Sequence, residues 1–307
     1  MKRRSGAGVW AWRIGILVAW EYLTGIKAIS RTPGLYWIDP FFISRPSAIA
    51  RRFVYLMSDN ARLPLWKMAL STVQSTLWGF LVGITSGFVA GLLLGRSDRA
   101  ARVFDPFIVA FNSLPRIALV PLITMVFGFG LLAKIVLAWS IVFFIVFFNT
   151  FQGARSVDAD LISSARFLGA SEGQILRTVI VPSTLAWTFA SLTPSISFAL
   201  IGVVVGEFIG GESGGSLGYL IIQSPGTLNA ADMMVALVVL GLIGIVMALG
   251  IRQIEGRLLR WRPEYQKRSQ AAQKGPSASL APSSARSTYR EYASRAVVGR
   301  RLASGPF

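Results

Sequence analysis

Charged side chains are rare inside the apolar runs of this sequence, and three polar positions stand out by where they fall. Glu207 closes an uncharged run from 178 to 206. An acid at the end of so long a run has two readings: a functional carboxylate within a membrane protein, or a residue at headgroup level beside a Gly-rich loop. Arg116 and Asn112 lie on an apolar segment interrupted by Pro115 and Pro121, and a guanidinium there would suit an anionic ligand. The chain has no Cys and no His, so thiolate, imidazole and disulfide chemistry are absent and no metal site is expected. No phosphate-binding loop of the Gly-x-x-x-x-Gly-Lys type occurs, so the chain does not bind a nucleotide in that manner by itself. A clustered nucleophile or acid–base set is also missing from the apolar runs, which counts against an integral membrane enzyme.

A second polar region is organised by spacing. Between Ser156 and Pro182, Ser156 or Asp158 can cap a short helix carrying Leu161, Ile162, Ala165 and Leu168 on one face. Gly169 falls where such a helix needs a residue tolerant of positive φ. Ser171 followed by Gln174 reads as a capping box that opens a second short helix, with Ile175, Leu176 and Val179 apolar. Pro182 suits the first turn of the span that follows. The unit is helix, glycine turn, helix, then membrane span.

The elements that must hold these residues are apolar helices. At 307 residues, 53% hydrophobic and 15% charged, the composition places the chain in a bilayer. Its net charge of +17 lies largely in a polar tail and at the ends of apolar runs, a membrane-surface pattern rather than a nucleic-acid one. About six spans are expected, giving an all-α polytopic membrane protein. Residues 1–30 hold a basic start and the first span, with a cleaved signal peptide as the alternative that Glu21 opposes. Residues 31–67 form an extracytoplasmic loop in which Ser47 caps an amphipathic surface helix. The core, 68–252, opens with a span in which Gly79, Gly83, Gly87, Gly91 and Gly95 recur every fourth residue, a stripe for close helix packing. Asp105-Pro106 starts the next, proline-broken span, Gly128-Phe-Gly130 turns the chain, and spans follow near 135–154, 178–206 and 233–251. A re-entrant or surface helix is expected around 217–223. Residues 253–307 make a basic tail, disordered over 266–307; contact with lipid headgroups and simple solvation are both open for it.

Basic flanks set the orientation, with both termini in the cytoplasm. Residues 27–67 object, since seven basic residues, Lys27, Arg31, Arg45, Arg51, Arg52, Arg62 and Lys67, would then face outward.

The spacing Ser163-Ser164-Ala165, then Gly169, Val179, Val181 and Pro182 resembles the "EAA" cytoplasmic loop of permease subunits in bacterial ABC importers. Ser163 and Ser164 stand where that pattern has Glu-Ala. The stretches Gly206 to Leu220 and Arg260-Trp-Arg-Pro-Glu-Tyr265 resemble the nitrate, sulfonate and taurine type permeases, a branch that includes thiamine-precursor systems. The resemblance implies a type I importer fold in the bacterial inner membrane, with ATP bound by a separate cytoplasmic ATPase and solute delivered by an extracytoplasmic binding protein. It implies a homodimer, or one copy with a paralogue. It makes 155–182 the coupling loop, with Phe167 and Leu168 as its apolar contact and Arg166 and Glu172 as polar ones. Asn112, Arg116 and Glu207 become candidates for the pathway of a small solute, an anion such as a sulfonate, taurine or nitrate, or a thiamine-precursor-like molecule. An ion-coupled secondary transporter is the competing class, and the near charge-free spans count against it.

Overall fold

The computed structural model describes residues 6–24, 26, 39–58, 61, 64–210, 215–227 and 229–258. The expectations for the basic start at 2–4, for Arg260 to Tyr265 and for the tail lie outside the described residues. All regular structure within them is helical.

Three helices make the core: α4 (Leu65–Arg96), α7 (Leu131–Arg155) and α10 (Val181–Ile209). Lipid tails are as apolar as Leu, so nothing hydrophobic drives spans together; they associate through close packing and hydrogen bonds. The glycine stripe of α4 supplies the packing. A Cβ built at Gly79 would lie 2.4 Å from Ala138 Cβ, and one at Gly83 would lie 2.6 Å from Val142 Cβ. At Gly87 the nearest atom would be the Phe143 carbonyl oxygen, at 2.7 Å. The two backbones therefore approach along the whole stripe, as the spacing leads one to expect. On the other side of α7, Gly153 accepts the ring of Trp187, and the hydroxyls of Thr150 and Thr188 meet at 2.9 Å. Phe80, Val142, Val146, Leu192, Ile196 and Val203 fill the space among the three.

Around this core stand α1 (Gly6–Leu23), α2 (Pro40–Ile43), α3 (Pro46–Met57), α5 (Asp98–Ser113), α6 (Val120–Phe127), α11 (Leu217–Gly226) and α12 (Ala230–Leu258). Four helices are long and apolar enough to cross a membrane: 65–96, 131–155, 172–209 and 230–258. A bent pair, 98–111 with 116–127, turns by 82° and makes a fifth if counted as one span. The sixth segment of the sequence reading is α1, an 18-residue helix carrying Arg13 and Glu21 that is not among these four.

Several boundaries differ from the sequence reading, each for a local reason. Ser47 does not cap α3. Pro46 takes the first helical position, and the Ser47 amide and hydroxyl donate to the Glu21 carboxylate at 2.9 and 2.7 Å. Asp105-Pro106 does not start a helix, because Ser97 caps α5 earlier and Pro106 falls inside it. Pro121 stands in the first turn of α6, after a 3-10 turn over Arg116–Leu119, so the break lies before it rather than at it. The second helix of the 155–182 unit is not separate from the span. It begins as α9 (Glu172–Ile175), widens into a π turn over Leu176–Ile180 and continues as α10. Pro182 explains the widening. Its ring lacks an N–H and crowds the carbonyl of the preceding turn, and the wider register, in which Val181 N donates to Leu176 O, lets the helix pass the proline unbroken.

Candidate functional site

The hairpin over 156–182 is built from local rules. Asp158, rather than Ser156, caps α8 (Ala159–Phe167), its carboxylate accepting from Asp160 N at 2.9 Å. The helix ends in a Schellman motif: Gly169 N donates to Arg166 O at 2.9 Å and Ala170 N to Ala165 O at 3.0 Å. That closure needs a left-handed residue, and Gly169 has φ +83°. Ser171 and Gln174 then form the reciprocal capping box, Ser171 N donating to Gln174 Oε1 at 2.7 Å and Gln174 N to Ser171 Oγ at 3.4 Å. Across the turn, Arg166 Nε donates to Glu172 Oε1 at 2.9 Å, and Arg96 at the end of α4 lies 3.9 Å from Glu172 Oε2.

Two consequences follow for the residues singled out from the sequence. Arg166 and Glu172 meet each other, so they fix the turn as well as face solvent. Phe167 and Leu168 sit at the tip, 91% and 89% exposed. Large adjacent apolar side chains on a restrained turn mark a contact surface. Ser163 and Ser164 are exposed beside them and Ala165 is half-buried, while Val179 and Pro182 are half-buried on the stem. Ile175 is buried and ties the hairpin to the bundle.

At the other end of α10 a different kind of site appears. Glu207 is 1% exposed. Its Oε1 accepts from Thr72 Oγ1 of α4 at 2.8 Å and lies 3.5 Å from Lys134 Nζ of α7. Its Oε2 accepts from Gly218 N in the first turn of α11 at 2.9 Å. Four helices thus converge on one carboxylate, which is enclosed by protein groups. Lys134 is buried in the first turn of α7. Gly218 is required by contact: a Cβ there would lie 2.6 Å from Glu207 Cβ.

Sequence reasoning missed Lys134 and Thr72 as partners. The signal that could have found them is opposite charge at the ends of two apolar runs, 135–154 and 178–206, which the topology brings to the same side. Arg116 is not part of this cluster. It lies at the break between α5 and α6, half-buried, with its guanidinium carbon 5.1 Å from the centre of the Phe144 ring, a cation–π arrangement. Asn112 is in the last turn of α5 and its side chain is outside the described residues. Among the described residues no group of acidic side chains is placed to hold a metal ion.

Comparison with known proteins places this geometry. Residues 83–260 match the family model described as binding-protein-dependent transport system inner membrane component. The chain is 28% identical over 272 residues to the putative aliphatic sulfonates transport permease protein SsuC of Bacillus subtilis, covering 87% of this chain and 94% of that one. It is 32% identical over 221 residues to the riboflavin transport system permease protein RibX of Chloroflexus aurantiacus, covering 72% and 81%. The fold is similar to that of a chain in an inward-facing structure of the MetNI methionine ABC transporter, with TM-score 0.54 at 22% identity over 62% of this chain and 94% of that one.

Proposed function

The chain belongs to the family of binding-protein-dependent transport system inner membrane components, as a multi-pass permease subunit of an ABC importer for a small solute, and we propose that the 156–182 hairpin is where it receives the force of ATP hydrolysis. In this reading a separate cytoplasmic ATPase takes Phe167 and Leu168 into a surface cleft. The observation that carries it is the exposure of that pair on a turn held by a Schellman closure, a capping box and the Arg166–Glu172 bridge. A tip so restrained moves with its stem, and the stem runs without a break from Glu172 to Ile209. Movement of the ATPase would therefore reach the far end of α10, where Glu207 holds α4, α7 and α11 together. Such coupling needs two packed arrangements of the spans, which an ATPase pair that opens and closes would select in turn.

The further parts of the proposal follow from this one. The hairpin and both chain ends face the cytoplasm, the opposite end receives solute from an extracytoplasmic binding protein, and two copies of the chain, or one with a paralogue, complete the pathway. Arg116 at the helix break is the candidate contact for an anionic solute such as a sulfonate, taurine or nitrate. Ser163 removes one negative charge from the surface offered to the ATPase.

Affinity purification of the tagged chain in mild detergent, with mass spectrometry and an ATPase assay on what copurifies, tests the reading. A P-loop ATPase should be recovered with the wild type and lost with Phe167→Asp/Leu168→Asp, while that variant remains monodisperse. Recovery of the chain alone, with solute flux in liposomes lacking ATP, would instead establish an ion-coupled secondary transporter.

A further inference from the structure

The segment that breaks the charge asymmetry of the sequence supplies the next inference. Residues 27–67 carry seven basic side chains against two acidic ones, Asp39 and Asp59. The described part of this segment lies at the end of α4 opposite the hairpin, since α3 precedes Leu65 whereas Arg96 reaches Glu172. α4 has 32 residues, so roughly 48 Å separates its ends.

α3 is fastened by its polar side. The Arg52 guanidinium forks onto Asp232 of α12, with Nη2 to Oδ2 at 3.0 Å and a second bond from Nε to Oδ1. This bond raises the Arg52 side chain above its ordinary pKa. Asn229 donates to the same carboxylate at 3.0 Å. Ser47 is held by Glu21 of α1, and Leu56 is buried with Leu65, Met68, Leu217, Leu220 and Val235. What α3 turns outward is apolar: Val54 is 68% exposed, with Phe53, Tyr55 and Met57 also exposed. A surface helix in water has the reverse plan. Exposed Arg51 stands among these residues and half-buried Arg45 just before them. Exposed Lys67 follows, its ammonium 5.3 Å from the centre of the exposed Trp66 ring. Among the described residues none of these three cations is in a salt bridge; Asp39 caps α2, Asp232 is taken by Arg52, and Glu21, close enough to attract Arg45 and Arg51, is occupied by both bonds from Ser47.

We propose that α3, with Arg45, Arg51 and Lys67, is a docking surface for the anionic headgroups of membrane lipid. Interleaving decides between a lipid and an acidic protein. Phosphate groups beside an acyl phase satisfy both the cations and the apolar side chains between them, and long basic side chains reach headgroups while their stems lie in that phase. An acidic protein face would meet the cations and leave Val54 and Met57 against polar groups. An apolar pocket of about 170 Å³ between α2 and the α11–α12 junction, lined by Phe41, Phe42, Pro225, Ala230 and Met233, adds room for part of one acyl chain.

The test is native mass spectrometry of the full chain released from nanodiscs of phosphatidylcholine with phosphatidylglycerol of the same acyl chains. The wild type should retain phosphatidylglycerol in preference to phosphatidylcholine. Arg51→Gln and Lys67→Gln should each weaken that retention by roughly fivefold, as expected for one charge at a membrane surface, and Arg51→Lys should restore it. Both positions are exposed, so each single variant is readable without the double. Equal retention of the two lipids, or variants that hold phosphatidylglycerol like the wild type, overturns the proposal. Undiminished retention with loss of stimulation by an extracytoplasmic binding protein would overturn it in favour of an acidic protein face. The inference rests on the membrane-spanning reading alone, and its failure would leave ATPase copurification through Phe167 and Leu168 untouched.

Discussion

The two ends of α10 solve opposite problems. At its start the chain presents Phe167 and Leu168 to solvent on a turn made almost wholly from residues within 158–174. At its finish the chain hides Glu207 among Thr72, Lys134 and Gly218, of which the first two are distant in sequence, Thr72 by 135 positions, and Gly218 is 11 positions away. One end is specified locally and open to a partner. The other is specified by tertiary contact and closed to everything but the protein. A rigid lever needs both: a tip that can be gripped, and a far end bound tightly enough to carry its neighbours.

The sharpest way to break the closed end is to remove one charge. Glu207→Ala leaves Lys134 buried with no carboxylate, and the cost should be about 3–5 kcal/mol, read as a large fall in the thermal midpoint in detergent. Lys134→Met/Glu207→Leu should recover much of that loss, because two apolar groups need no pairing. A double variant as unstable as the single one would show that Thr72 and Gly218 carry the site. Next comes the seam that lets α4 and α7 approach. Gly83→Leu drives a side chain into Val142, where even a Cβ would be 2.6 Å away, and overpacking of this kind costs about 1–3 kcal/mol. Gly173→Leu, at a position with nothing within 4 Å of a built Cβ, should leave the midpoint unchanged.

These two ends also differ in how far they could be read from sequence. The caps and turn of the hairpin were legible, because an Asp or Ser cap, a glycine stop and a Ser-x-x-Gln box act within a few residues of themselves, whereas the merging of its second helix with the span was not. The glycine stripe of α4 was legible for the same reason, since its period of four shows a face without a partner being named. The carboxylate site was half legible: Glu207 was conspicuous against a charge-free run, but nothing local points from it to Lys134 or Thr72. Proline misled at Pro106, which is tolerated within α5, whereas Pro182 stands in the first turn of α10 as expected and the helix before it passes through a π turn, because a helix can absorb a missing N–H by widening or by exposing a carbonyl.

A smaller effect is expected at the open end, where stability and function should separate. Gly169→Ala places a Cβ at φ +83°, a conformation that costs about 1–2 kcal/mol for a residue with a side chain. No atom lies within 4 Å of that Cβ, so the strain is in the backbone alone and is confined to the tip. The hairpin should loosen without disturbing the Glu207 cluster, and the thermal midpoint of the bundle should move little. If the hairpin receives an ATPase's movement as proposed, solute uptake and the yield of copurified ATPase should nevertheless fall, since a loosened tip would transmit less of that movement to the stem. Gly169→Pro should abolish uptake while membrane insertion persists, because proline lacks both the left-handed conformation and the N–H that Arg166 O accepts. Normal uptake by the proline variant would mean that the hairpin only tethers the ATPase, and that the force enters the spans elsewhere.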